Sequence, residues 1–285
     1  KRLGVSSNQA LQEVKRLLNA AKAGHTGSLD PLATGLLPLC FGEATKVSGM
    51  MLDDDKRYRV VIQLGVLTDT GDAEGAVLQT RSVPEITQAM LKECLQRFTG
   101  NIDQVPPMYS ALKLNGRKLY ELAREGKTVE RKARRITIYE LKQVDHDRDR
   151  LTLEVFCSKG TYIRSLAEDI GAYFGCGATV AELRRLQAGV FHIENALTIE
   201  QLRAMDTQQL DSWLLEVDTP LQTIPAVELQ QPDAGKVKNG QSIKAEQAPL
   251  GQVRMYHAGA FLGLGEMRMD GKLAPLRLFN LEESG

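Results

Sequence analysis

The sequence lacks the features that mark membrane-spanning, secreted and zinc-binding proteins. No apolar run approaches the roughly 20 residues that cross a bilayer, and no basic start with an apolar stretch resembles a secretory signal. The four cysteines form no CxxC pair, and with four histidines no Cys/His cluster has the spacing of zinc ligands. We therefore expect a reduced, cytoplasmic protein in which Cys40 and Cys157 are small buried side chains. Because the chain begins at Lys1 rather than Met, we also expect that an N-terminal piece precedes it.

The chain also lacks net charge, with 36 basic and 36 acidic residues, but the two signs are segregated along it. Residues 113–135 (the basic segment) hold nine Lys or Arg and three Glu, which gives a local charge of +6. Residues 194–233 hold eight acidic side chains and one Arg, which gives −7. Binding to phosphates depends on the local field rather than on the total, so the basic segment predicts a contact with nucleic acid. A solvated basic helix beside a solvated acidic one would show the same pattern.

Apolar periodicity and turn residues predict an α+β fold with a mixed, mainly antiparallel sheet. A helix capped by Ser6 or Ser7, a loop over 22–31 and a turn over 68–75 are predicted. Further helices are predicted over 86–98 and 162–174, and strands over 58–64, 136–144 and 151–157. After an acidic helical stretch over 197–221, the composition changes near Pro225 to short apolar runs broken by glycines. We therefore expect a large domain over 1–224 and a small β-rich domain over 225–285.

The segment that points most directly to chemistry runs from Gly24 to Gly35 and contains three glycines and Asp30. The glycines allow sharp turns and a close approach of the backbone to a ligand. Pro31 disfavours a helical conformation at Asp30 and stiffens the chain after it. A carboxylate on a rigid loop is a plausible catalytic group. An Asp that merely caps a turn is the alternative that these residues leave open.

This segment resembles the catalytic motif of the bacterial tRNA pseudouridine-55 synthases, the TruB family. Further stretches match the family's motifs in the family's order over essentially the whole chain: Lys1 with Gly4–Ser7, then 55–58, 69–75, 104–113, 158–164 and 183–185. The chain departs from the family pattern at Arg2, where the family usually has Pro, and it lacks the strand that normally precedes Lys1.

The resemblance implies a catalytic domain of the pseudouridine synthase type, followed by an RNA-binding domain similar to the PUA type. It implies isomerisation of uridine 55 in the T-loop of tRNA, which binds through its T-arm, and assistance in tRNA folding. No cofactor and no metal are expected, because the reaction moves the base from an N1–C1′ to a C5–C1′ bond without a group entering or leaving. A cytoplasmic monomer without a membrane contact is expected.

The resemblance also assigns roles to single residues. Asp30 would act on a flipped-out nucleotide, either by attacking C1′ or by taking a proton from the sugar. Arg164 would form an ion pair with Asp30, Tyr58 would stack on the base, and Tyr162 and Leu183 would line the pocket. A core Tyr, a surface Arg and a core Leu are the ordinary alternatives for these residue types.

Two further residues and one segment resemble RNA contacts of the family. His25 would touch flipped-out loop nucleotides, and Asp72 would support the site or contact RNA, although a neutral loop His and a turn-forming Asp are common. An insertion over about 104–135 would grip the RNA backbone. The many charges and few large apolar residues of the basic segment within it predict little order without RNA.

Three other functions are weighed against this one. An RNA-binding protein without catalysis would not need Asp30 in its motif. A synthase that works inside a guide-RNA particle often carries long basic tails, which this chain does not show. A zinc deaminase, which also flips out its base, needs Cys and His ligands at a spacing that is missing here.

Overall fold

The protein is described by a computed structural model that covers residues 1–245 and 247–281. The α-helices are α1 Ser7–Leu17, α2 Ser48–Met51, α3 Gln88–Arg97, α4 Leu119–Arg124, α5 Ile163–Tyr173, α6 Ile199–Arg203, α7 Thr207–Ser212 and α8 Asp233–Lys238. Short 3₁₀ turns lie at Gly42–Lys46, Ile193–Asn195 and Thr219–Leu221. No helix in the described ranges is long and apolar enough to cross a membrane.

The strands follow the same chain order. They are β1 Ala23–His25, β2 Ala33–Gly35, β3 Leu39–Phe41, β4 Lys56–Leu64, β5 Val66–Thr68, β6 Val77–Thr80, β7 Gly100–Gln104, β8 Lys113–Leu114, β9 Arg117–Lys118, β10 Arg134–Asp147, β11 Arg150–Cys157, β12 Ala178–Ala188, β13 Phe191–His192, β14 Ala226–Glu228, β15 Ile243–Lys244, β16 Gly251–His257, β17 Ala260–Met267 and β18 Lys272–Leu278.

A seven-stranded sheet forms the centre of the N-terminal part. Six of its strands follow the order β13-β12-β4-β11-β10-β7, and the seventh, β2, pairs with β12. Its neighbours are antiparallel, except that β2 pairs in parallel with β12. Two small hairpins, β5-β6 and β8-β9, and the pair β1-β3 lie outside it. The predicted α+β class with a mixed, mainly antiparallel sheet is therefore confirmed.

The core lies between this sheet and α5. Alternate residues of β4 and β11 point inward, as a sheet with one covered face requires, and the inward side chains are fully buried. Leu166, Ala167 and Ile170 of α5 pack against them. Cys40 and Cys157 are buried thiols, as expected for small apolar side chains.

A second sheet, β14-β16-β17-β18-β15, forms the C-terminal part and has its own apolar core. A third apolar cluster joins the two parts: Phe261, Leu264 and Phe279 from the C-terminal part pack with Val47 and Met51 from the N-terminal part. Polar contacts reinforce this interface. Arg254 on β16 donates to Asp218 at 3.1 Å, and Lys46 donates to the carbonyl oxygen of Leu278 at 2.9 Å.

Local signals explain most of the helix ends. The hydroxyl of Ser6 accepts from the N–H of Gln9 at 3.1 Å, and the Gln9 side chain accepts from the N–H of Ser6 at 2.7 Å. This reciprocal capping box starts α1 where the sequence predicts a helix. The hydroxyl of Thr87 accepts from the N–H of Met90 and caps α3, so the helix predicted from 86 begins at Gln88. The acidic stretch contains three short helical pieces rather than one helix.

Three expectations about local structure were incomplete or wrong. The stretch 22–31 is not entirely loop, because Ala23–His25 pairs with Leu39–Phe41 as β1 and β3. The basic segment is not without order, since it contains the hairpin β8-β9 and α4, whose Leu119 and Leu122 are buried. The sequence does not predict strand β12, because charged residues interrupt the apolar pattern by which strands are recognised.

Candidate active site

Asp30 lies on a turn whose flanks are fixed in the core. Leu29 and Leu32 on either side of it are buried. The N–H of Leu29 donates to the hydroxyl of Ser7 at 2.7 Å, and that hydroxyl donates to the Leu29 carbonyl oxygen at 3.1 Å. The N–H of Ala33 donates to the Asp30 carbonyl oxygen at 3.0 Å and closes the turn. The backbone therefore holds the carboxylate in one place.

Arg164, the second residue of α5, holds the Asp30 carboxylate. Its Nε lies 3.0 Å from Asp30 Oδ2, while its terminal nitrogens donate to the carbonyl oxygens of Thr70 at 3.0 Å and Tyr109 at 2.7 Å. The Arg164 side chain is 6% exposed and that of Asp30 is 41% exposed. The guanidinium is thus locked in the protein, and the carboxylate remains open to a ligand on one side.

The environment of Asp30 makes its carboxylate more basic than usual. Burial by the surrounding residues raises the pKa of Asp30, and the nearby charge of Asp72 adds to this. The charges of Arg164 and Lys1 act in the opposite direction and favour the ionised form. A carboxylate with a raised pKa, held by a fixed cation and partly exposed to solvent, has the properties of a general base or a nucleophile.

Asp72 faces the same arginine but is engaged with its own turn. Its Oδ1 accepts from the hydroxyl of Thr70 at 2.7 Å and from the N–H of Glu74 at 3.1 Å, while Oδ2 lies 3.9 Å from Arg164. The side chain is buried. These contacts give Asp72 the turn-forming role that was left open, and they also bring its charge close to Arg164.

Tyr58 and Leu183 lie on neighbouring strands beneath the Asp30 turn. On β12, Leu183 lies between Val60 of β4 and Ala33 of β2, and it packs into the main core. Tyr58 is half-buried on β4, where burial raises the pKa of its phenol and the charge of Asp30 raises it further. Tyr58 is therefore close enough for the charge of Asp30 to act on its phenol, and Leu183 lies beside Ala33, three residues after Asp30.

Tyr162 lies at the start of α5, where it is fixed by Gln104 at the end of β7. The Gln104 side chain accepts from the N–H of Tyr162 at 2.8 Å and donates to its carbonyl oxygen at 3.1 Å. Burial raises the pKa of the Tyr162 phenol, with a smaller contribution from the charge of Asp30. This two-point contact also connects the root of the insertion over 104–135 to the helix that carries Arg164.

His25 lies on β1, opposite Leu39 of β3, at the entrance to the Asp30 loop. Burial lowers the pKa of His25, and the charge of Arg185 lowers it further. The imidazole is therefore kept neutral near physiological pH, which suits contact with a base or a sugar better than with a phosphate.

Three residues outside the predicted set help to build this site. Lys1 donates from Nζ to the carbonyl oxygens of Ala33 at 2.5 Å and Pro31 at 3.1 Å. Gln104 fixes the start of α5, and Arg185 bonds to the loop that carries Asp30. Lys1, Gln104 and Arg185 occur in the matched motifs, but their type and spacing do not indicate these contacts.

The basic segment starts beside the site and extends into solvent. Tyr109, just before it, bonds to Arg164 through its carbonyl oxygen. Most Lys and Arg side chains of the segment are exposed, although Arg134 and Arg135 belong to β10 and Arg135 lies 3.3 Å from Asp103.

Within residues 1–245 and 247–281, no group of His, Cys, Asp and Glu is arranged to hold a metal ion.

Family models match the chain along most of its length. Residues 15–163 match the model described as TruB family pseudouridylate synthase, N-terminal domain. Residues 164–222 match a tRNA pseudouridylate synthase B C-terminal domain, and residues 225–279 match the C-terminal model of pseudouridine synthase II TruB.

Curated proteins are similar over nearly the full chain. A protein of Pseudomonas putida named tRNA pseudouridine synthase B is 53% identical over 288 residues, which cover 99% of this chain and 94% of that protein. A protein of the same name from Chromohalobacter salexigens is 50% identical over 280 residues, which cover 97% and 91%.

Solved structures share the fold at low identity. A Cbf5–Nop10–Gar1 complex contains a chain with a TM-score of 0.72 and 22% identity, covering 98% of this chain and 82% of that one. An H/ACA RNP bound to a substrate RNA with 2′-deoxyuridine contains a chain with a TM-score of 0.73 and 20% identity, covering 99% and 84%.

Proposed function

Because the chain belongs to the TruB family of pseudouridylate synthases, we propose that it isomerises uridine 55 in the T-loop of tRNA to pseudouridine, with Asp30 as its catalytic carboxylate. The observation that carries this proposal is the pairing of Asp30 with the buried Arg164, on a turn that leaves one side of the carboxylate open. Relatives named tRNA pseudouridine synthase B support the choice of a tRNA substrate.

The chemistry balances within the substrate. The N1–C1′ bond breaks, the base turns, a C5–C1′ bond forms, and the proton that leaves C5 is replaced by one on N1. Asp30 can serve this sequence by attacking C1′ or by taking a proton from the sugar, and both steps require its ionised form. Arg164 keeps that form available despite burial, since it favours the charged state of Asp30.

The remaining site residues would hold the extruded nucleotide. Tyr58 would stack on the base, a contact that contributes about 1–3 kcal/mol per base. Leu183 would contact the base from the sheet, Tyr162 would border the pocket at the start of α5, and His25 would touch neighbouring loop nucleotides. Base extrusion costs a few kcal/mol, which these contacts would offset.

We assign the two parts of the chain different tasks. Residues 1–224 would carry the chemistry, the insertion over about 104–135 would grip the T-arm, and residues 225–285 would bind tRNA elsewhere as a PUA-like domain. The chain would act as a cytoplasmic monomer without a membrane contact, and its binding surfaces would also help tRNA to fold. Light scattering of the purified protein, alone and with one equivalent of tRNA, measures its molar mass and so tests whether it is a monomer.

The experiment that tests the function uses unmodified transcribed tRNA. We expect the protein to convert uridine 55 without any added cofactor, as detected by chemical mapping of pseudouridine in the T-loop. A transcript with cytidine at position 55 is the matched control and should gain no pseudouridine. If uridine 55 stays unmodified, or if pseudouridine forms elsewhere instead, the proposed function is wrong.

A further inference from the structure

Arg185 is a fully buried arginine directly beneath the candidate active site. It lies on β12 at the point where this strand has neighbours on both sides, opposite Tyr58 of β4 and Gly35 of β2. The residue is 1% exposed and has the largest of the side chains that are fully buried in the described part of the chain. It therefore cannot touch RNA bound to the surface.

The Arg185 side chain bonds to both ends of the loop that carries Asp30. Its Nε donates to the carbonyl oxygen of Leu36 at 2.8 Å, and its Nη2 donates to the carbonyl oxygen of Gly27 at 3.1 Å. Its own carbonyl oxygen accepts from the N–H of Leu36 at 2.9 Å. Gly35 lies so close that a Cβ there would collide with the Arg185 backbone. The loop is therefore clamped to the sheet on both sides of Asp30.

Stability alone does not explain an arginine at this position. Among the described residues, no Asp or Glu oxygen lies within 4.0 Å of its guanidinium, whereas Arg164, which is also buried, has Asp30 at 3.0 Å. A buried charge without a counter-ion is costly, and a well-packed apolar side chain of similar volume is usually neutral or better for stability. The planar guanidinium group, however, has several N–H donors and is well suited to bond two separate carbonyl groups.

The same guanidinium faces two residues of the proposed RNA-binding set. Its charge lowers the pKa of His25, in addition to the effect of burial, and it acts on the phenol of Tyr58 in the same direction. Lys1 and Lys56 are cations near it; burial lowers the pKa of each, and the charge of Arg185 lowers both further. Arg185 is thus the common neighbour of the Asp30 loop, His25 and Tyr58.

We propose that Arg185 is a positioning residue, which clamps Gly27 and Leu36 so that Asp30 is held at the reacting sugar above Tyr58. The proposal rests on the proposed function, since it assigns a task within that reaction. It predicts a specific kinetic pattern. Because Arg185 is buried, its loss should slow the chemical step while tRNA affinity stays nearly unchanged, and a displacement of about 1 Å can cost about a hundredfold in rate.

The test compares three variants in single-turnover reactions with unmodified tRNA, with affinity measured separately. Arg185→Met removes the charge and both side-chain hydrogen bonds, and we expect a rate about a hundredfold lower. Arg185→Lys keeps the charge but lacks the several donors of the guanidinium, and its rate should lie between those of Arg185→Met and the wild type. Arg184→Met is the matched control, since Arg184 is the adjacent, exposed arginine. It should react like the wild type.

A second readout separates positioning from general loss of structure. The pKa of His25, followed by NMR of its imidazole, should rise in Arg185→Met and remain close to the wild-type value in Arg185→Lys. This titration is readable without any turnover, so it remains informative if the proposed function fails and the wild type itself does not modify tRNA. Thermal melting and circular dichroism of each variant show whether it is folded.

Two outcomes would overturn the proposal. One is a folded Arg185→Lys and a folded Arg185→Met that both react at the wild-type rate. The other is a parallel fall of melting temperature, tRNA affinity and rate in Arg185→Lys, which would give Arg185 a role in folding alone. If Arg185→Met does not fold, the lysine variant decides between these cases.

Discussion

Deletion of residues 225–285 should lower the stability of the remaining chain as well as its affinity for tRNA. In the intact protein, the C-terminal sheet covers a patch of four buried side chains that belong to the rest of the chain. These side chains are Cys40, Val47, Met51 and Leu221. Deletion also removes Arg254, the partner of Asp218, and the backbone carbonyl to which Lys46 donates.

The size of the effect follows from the area that becomes exposed. Full exposure of a buried apolar side chain costs about 2 kcal/mol. If the C-terminal sheet supplies half of the cover of each of the four side chains, deletion costs about 4 kcal/mol. For a domain of this size, 1 kcal/mol shifts the melting temperature by about 2–4 °C, so we expect a decrease of roughly 8–16 °C.

The assay compares melting temperature with single-turnover rates on two RNAs. All the proposed catalytic residues precede position 225. At a temperature where both proteins are folded, the full chain and residues 1–224 should therefore modify a short T-arm stem-loop at about the same rate. Full-length tRNA should be modified more slowly by the truncated protein. Met269→Ser, at a side chain that is 95% exposed in the turn between β17 and β18, is the control and should melt like the wild type. An unchanged melting temperature after truncation would refute the packing argument, and equal loss of rate on both RNAs would refute the division of tasks.

Two further predictions concern the ions of the site and of the basic segment. Because burial raises the pKa of Asp30, the modification rate should fall with decreasing pH, with a midpoint above the pKa of an ordinary Asp. Arg164→Met should move this midpoint to still higher pH, because the charge of Arg164 lowers the pKa of Asp30. A pH–rate profile that does not move would contradict the ion-pair argument. Four charge reversals in the basic segment should reduce the slope of log affinity against log salt by roughly 3, since each phosphate contact contributes about 0.7–0.9. The four positions are Arg131, Lys132, Arg134 and Arg135. Lys92→Glu, on the exposed side of α3, should leave the slope unchanged, and an unchanged slope in the fourfold variant would show that the segment does not face RNA.

The sequence was sufficient for the fold class, because that depends on local patterns. Local patterns also made Asp30 a candidate carboxylate, but its catalytic role comes from the resemblance and stays a prediction. Alternation along β4 and β11 predicts inward and outward faces, and glycines around Asp30 predict a loop. The ion pair between Asp30 and Arg164 depends on a resemblance, since nothing local connects two residues so far apart in the chain. In the structure, α5 returns over the sheet and brings them within 3.0 Å.

Arg185 could not be recognised in the same way. Arg184 and Arg185 are chemically identical neighbours, and in a strand one must point to each face, but the alternation does not say which one is buried. The run of charges also hides β12 itself, because a strand is recognised from β-branched and apolar residues. Only the pairing of β12 with both β4 and β2 shows that Arg185 is enclosed and that Arg184 is exposed.

The central claim is that the Asp30 carboxylate performs the reaction, and its most direct test is the single-turnover rate of Asp30→Asn on unmodified tRNA. Asp147→Asn, at an exposed aspartate at the far end of β10, is the matched control. We expect no detectable pseudouridine at position 55 with Asp30→Asn, tRNA affinity within a few-fold of the wild type, and a wild-type rate with Asp147→Asn. Pseudouridine formation by Asp30→Asn at a rate near that of the wild type would contradict the account.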